Sequence, residues 1–130
     1  MLHHKQSSEL GFSLMELLYI ILIIGILSTL AISTYKGFKQ SSFENTVRHD
    51  IRNAALACES YYAEHQSYPV FGPFTGTKNN QNFTFAPSYT LTISEGVTIH
   101  SVRQSDQSLD IIGTHPGTSQ GFQYTRHLSL

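Results

Sequence analysis

Apolar positions fall along this chain in three regimes. From Phe12 to Ile32 runs a block of 21 residues in which Glu16 is the one charged side chain. At about 1.5 Å rise per residue such a helix is ~30 Å long, enough to cross the hydrocarbon core of a bilayer. Beyond it the pattern turns amphipathic. Phe43, Val47, Ile51, Ala54, Cys58, Tyr61 and His65 recur at steps of three and four and share one helical face. Asn45, Arg48, Arg52 and Glu59 project from the other side, and Glu44 with Arg48 makes an i,i+4 pair in the favourable order. Leu56 sits on the polar side, as a contact for a neighbouring molecule would. Pro69 disfavours helical geometry at Tyr68, so the helix is expected to run from Phe12 to about Gln66. Its weak point is Ser33–Gly37, where hydroxyls bond back to the preceding turn and glycine costs about 1 kcal/mol relative to alanine.

From residue 67 the period changes again. Pro69, Pro73 and Pro87, with Gly72, Gly76 and the polar run 77–82, predict a long surface loop over 67–87, pinned by Phe71, Phe74, Phe83 and Phe85. Tyr89, Leu91 and Ile93 then alternate with polar residues, Glu95-Gly96 turns the chain, and Val97 and Ile99 alternate again, which predicts a hairpin. Leu109–Thr114 and Phe122–Leu128 supply two more strands around turns at 105–107 and 115–121. The expected fold is α+β: a long N-terminal helix whose amphipathic half lies on an antiparallel sheet of about four strands. Leu91, Ile93, Val97, Ile99, Ile111 and Tyr124 are its expected core.

Composition narrows the function. The net charge of −1 gives no basic bias of the kind nucleic-acid binders carry, and Cys58 is the single cysteine, so no intramolecular disulfide forms. Only 13% of residues are charged, while Ser, Thr, Asn and Gln are plentiful, which suits an extracellular or self-packing surface. His49, His65, His100, His115 and His127 lack zinc-ligand spacing, and His3 and His4 precede the apolar block. Asp106 and Asp110 read as turn and strand-edge solvation rather than a cation site. No nucleophile elbow or phosphate-binding glycine loop occurs. No enzyme, metal or cofactor is expected. Asn82-Phe83-Thr84 matches a glycosylation sequon, a short signal that recurs by chance.

Glu16 is the costly feature: a carboxylate near membrane depth is unfavourable by roughly 2–3 kcal/mol or more. Gly11-Phe12, then Ser13-Leu14-Met15 and Glu16 inside an apolar helix, continued by Gly25, Ile26, Leu27 and Tyr35, resembles the prepilin cleavage and methylation signature of type IV pilins and type II secretion pseudopilins. The resemblance covers roughly residues 5–35. It implies a leader over 1–11, a filament-core helix over 12–33, an amphipathic half over 34–66 and a C-terminal domain over 67–130. It further implies cleavage between Gly11 and Phe12 by a prepilin peptidase, N-methylation of Phe12, and assembly into a homopolymeric filament on an inner-membrane platform. Glu16 would pair with the amine of Phe12 on a neighbour, with Gly25 as a small contact point. Two features depart from the family: pilins commonly staple the C-terminal region with a disulfide, and Ser33 stands where many carry proline. Charge counting also opposes it, since Lys36, Lys39, Arg48 and Arg52 follow the apolar block and only Lys5 precedes it. The resemblance implies a domain outside the cytoplasm, anchored in the bacterial inner membrane until it joins a pilus or pseudopilus. A structural pilus subunit leads, with a secretion pseudopilin second. A single-pass anchored protein, or one secreted by a cut after Thr29-Leu30-Ala31, is the unrelated alternative.

Overall fold

The computed structural model describes residues 11–118 and 124–129, and the chain divides into two units, Met1–Gly37 and Phe38–Leu130. Helix α1, Leu14–His65, contributes to both, and its assignment is uninterrupted through Ser33 and Gly37. The carbonyl of Ser13 accepts the amides of Glu16 and Leu17, which opens the first turn. The last turn closes at Gln66, whose φ of 53° cannot continue a helix and whose amide returns to Tyr62 O at 2.8 Å.

In the second unit the helix turns Val47, Ile51, Ala54, Ala55 and Cys58 inward, the face that the three-and-four spacing predicts. Phe43 and Tyr61 are half-buried at its ends, and His65 is exposed. Six strands follow: β1 Phe74–Thr75, β2 Asn82–Ala86, β3 Tyr89–Thr92, β4 Thr98–Arg103, β5 Leu109–Thr114 and β6 Tyr124–Leu128. A four-stranded antiparallel sheet in the order β1-β4-β5-β6 forms the layer under the helix, and β2-β3 is a separate hairpin. Ile99 of β4 and Leu109 and Ile111 of β5 meet Val47 and Ile51 in one core. Each such residue, fully buried, contributes roughly 1.5–3 kcal/mol. Gly113 makes the close approach possible, because a Cβ there would lie 2.6 Å from Ile51 Cδ1.

Four strands on a helix is the layout that periodicity predicts, but two details differ. The expected loop over 67–87 contains β1 and the whole of β2. The expected hairpin partners are also exchanged: β3 pairs with β2, in register Phe83↔Leu91, rather than with β4. The cause is local. Gln81 O accepts the Ile93 amide, while Gly76 accepts from Gly96 N and donates to Val97 O, so Ile93 and Val97 have other partners before they can face each other. β1 takes the vacated place beside β4 through Phe74↔Ile99. It is only two residues long, starts just after Pro73 and sits at the sheet edge, where a missing amide is tolerated. Five of the six expected core residues, Leu91, Ile93, Val97, Ile99 and Ile111, are buried. The side chain of Tyr124 lies outside the described part, as do Phe122, the 1–10 segment with His3 and His4, and residues 119–121 of the expected 115–121 turn.

Candidate assembly and membrane surface

The first unit presents apolar side chains that no described residue covers. Phe12 is 73% exposed and Leu14 80%, and every described residue up to Gly37 is exposed. The helix is long and apolar enough to cross a membrane, and none of its most apolar stretch is buried. A surface of this extent in water is unstable, since soluble monomers rarely leave a contiguous apolar patch beyond a few hundred Å². Three of its hydroxyls are turned back on the helix itself. Ser28 Oγ donates to Ile24 O at 2.7 Å, Thr29 Oγ1 to Gly25 O at 3.0 Å and Thr34 Oγ1 to Leu30 O at 3.1 Å. No hydroxyl of those three has to be hydrated, so the face accepts hydrocarbon or another apolar helix equally.

Glu16 stands in the first turn of α1. Its Oε2 accepts the backbone amide of Ser13 at 3.4 Å, a long contact. Ser13-x-x-Glu16 is thus the spacing of a capping box, in which the glutamate reaches back to the amide of the capping residue. The signal stands in the sequence beside the cleavage-like motif, and sequence reasoning passed over it. Oε1 has no partner among the described residues. Gly11 and Phe12 lie exposed immediately before the helix, and Gly25 has open space where a Cβ would stand. Gly25 and Thr29 form the floor of a shallow notch walled by Leu18, Ile21, Leu22 and Ile26. Of the candidate site residues, the structure therefore places Gly11, Phe12 and Glu16 together at one helix end and Gly25 further along the same helix.

Several titratable groups of the second unit are held in structural contacts. Asp50, 3% exposed, accepts Ser94 N at 2.7 Å and Ser94 Oγ at 3.1 Å. Sequence reasoning missed it, although Asp50 lies three residues after Val47 and four before Ala54, on the buried face. Cys58 is buried, and desolvation, helped by nearby Glu59, pushes its thiol up to about 12, so it is no nucleophile. On the sheet, His127 Nδ1 meets Asp110 Oδ1 at 2.7 Å and Gln104 Nε2 donates to Asp110 Oδ2 at 2.7 Å. The His127 contact first, then Gln104, holds the Asp110 carboxyl below its usual range. Asp106 is held low by the hydroxyl and amide of Ser108. Among the described residues no group of three or more His, Cys, Asp or Glu side chains is arranged to hold a metal ion.

Comparison with known proteins gives one informative likeness. The chain is 31% identical over 66 residues to the type II secretion system core protein G of Klebsiella michiganensis, a match covering 51% of this chain and 46% of that protein. The chain therefore matches less than half the length of this curated relative. No family model matches, and no solved structure does. By sequence, then, half of this chain is similar to a secretion-system core protein, and its exposed apolar helix is the surface on which an assembly role would rest.

Proposed function

We propose that this chain is a filament subunit of the type IV pilin and pseudopilin kind, held in the membrane as a precursor and polymerised through its N-terminal helix. The observation that carries the reading is the bare apolar helix with one carboxylate in its first turn. Such a helix is solvated by lipid before assembly and by the same helix of other copies afterwards, so leaving the membrane needs no unfolding. In this reading 1–11 is a leader, cut between Gly11 and Phe12 by the prepilin peptidase, and Phe12 is then N-methylated. The C-terminal domain stands outside the cytoplasm, and an inner-membrane platform drives assembly. Glu16 pairs through its Oε1 with the amine of Phe12 on the next copy. Because an unpaired charge in a dry core is costly, the pair favours one axial stagger. Gly25 admits close helix contact. The likeness to a type II secretion protein supports the pseudopilin form of this reading, and the motif is shared by pilus and pseudopilus subunits.

The Glu16→Gln variant tests the mechanism in a strain whose only copy carries it. It keeps the size and hydrogen bonding of the side chain, inserts more readily into lipid, and offers no counter-charge to the incoming amine. Mass spectrometry of the membrane fraction is expected to find a mature N-terminus at Phe12, while microscopy finds filaments lost. A wild-type filament count with cleaved Glu16→Gln subunit would refute the pairing. An N-terminus beyond Ala31 would instead mean a secreted protein and refute the filament reading as a whole.

A further inference from the structure

We infer that Tyr35 and Lys36 form an anchor for anionic lipid headgroups, in the leaflet through which the helix leaves the membrane toward its C-terminal domain. The inference rests on the membrane-spanning reading of 12–32 and adds a partner to it. If the apolar block fills the hydrocarbon, Tyr35 and Lys36 lie three and four residues past Ile32, about 5–6 Å further along the axis and in the headgroup layer. Tyrosine is favoured at that depth, with its ring against acyl chains and its hydroxyl in the polar layer. A lysine there lays its stem along the apolar surface and raises its ammonium.

Among the described residues neither group is engaged. Tyr35 is 66% exposed and Lys36 is exposed, and neither makes a hydrogen bond, ion pair or ring contact among the described residues. Thr34, just before them, is already satisfied by Leu30 O. Charge decides the class of lipid. Between Glu16 and Glu44 the only charged residues are Lys36 and Lys39. Lys39, in the second unit, sits over the Phe43 ring with Nζ 5.9 Å from its centroid. Lys36 is the cation left without a partner, and an anionic headgroup is the complement a bilayer supplies at that depth.

The chain contains no tryptophan, so single Trp probes report without background. Full-length Tyr35→Trp and Leu22→Trp proteins are reconstituted in vesicles of phosphatidylcholine and phosphatidylglycerol, with bromine on one lipid or the other, at shallow or deep chain positions. The Leu22→Trp protein is expected to be quenched by deep bromines and the Tyr35→Trp protein by shallow ones. At equal mole fraction, bromine carried on phosphatidylglycerol should quench Tyr35→Trp more than bromine on phosphatidylcholine. Adding Lys36→Gln should abolish that preference, a loss of about five-fold in local enrichment. If Leu22→Trp is quenched while Tyr35→Trp is not, or shows no lipid preference, the anchor is refuted and the membrane span stands. An unquenched Leu22→Trp protein overturns both.

Discussion

Asp50 places a carboxylate inside an otherwise apolar helix face and spends both oxygens on Ser94, 44 residues away. That contact fixes where the chain turns between β3 and β4. Removing the carboxylate leaves a part-buried amide without an acceptor, which costs roughly 1–3 kcal/mol. Asp50→Ala is therefore expected to lower the thermal midpoint of the domain by about 10 °C, followed by circular dichroism, while Asp50→Asn, which retains one acceptor oxygen, loses less. An equal loss in both variants would mean that the charge, and not the hydrogen bond to Ser94 N, holds the turn. Spacing alone marks Asp50 as inward-facing, since it shares the face of Val47 and Ala54. Nothing local to either residue names Ser94 as its partner, because that pairing exists only once the sheet has folded against the helix. Glu16 shows the same division: its capping contact to Ser13 can be read from four consecutive residues, and an intermolecular partner cannot.

Among the elements, β5 and β6 are joined by the directly opposed pair Asp110↔His127. Asp110 and Asp106 both have carboxyls held below the ordinary range. A depressed carboxyl stabilises the folded state above the unfolded value of about 4, and that contribution disappears as pH falls through the lower folded value. The thermal midpoint of the domain should thus fall between about pH 5 and pH 3. It should fall less steeply in Asp110→Asn, and identical slopes would show that the His127 contact carries no linkage. The strands themselves were legible where turn signals bracketed an apolar run, as in Leu109–Thr114 between the turns at 105–107 and 115–121, which is β5 to the residue. Legibility failed where two signals competed. Asn82–Phe85 alternates as a strand should, but it lies in a stretch crowded with proline, glycine and asparagine that reads as loop. Partner choice was hidden for another reason: Glu95-Gly96 does make a turn, with Gly96 at φ 81°, yet a tight turn does not oblige its flanks to pair when Gly76 and Gln81 satisfy them first.

At the scale of the molecule, the long apolar helix was the most legible feature, because 21 residues with one charge admit few readings. The first unit is exposed and apolar and the second encloses a core, and cutting between them should separate their behaviour. A fragment starting at Phe38 keeps the buried face of the helix, both sheets and the core around Ile51. It is expected to be monomeric and soluble by ultracentrifugation, whereas the full chain requires detergent. Ile51→Asp in that fragment should abolish folding, since an unpaired buried carboxylate costs several kcal/mol. A fragment that precipitates while the full chain stays dispersed in plain buffer would contradict this division.

The buried thiol of Cys58 has a consequence for how such a molecule is made. With one cysteine, shielded and held fully protonated at physiological pH, the domain closes without any covalent cross-link. Its maturation owes nothing to thiol oxidases or disulfide isomerases, so the same native state is open to it on the reducing and on the oxidising side of a membrane.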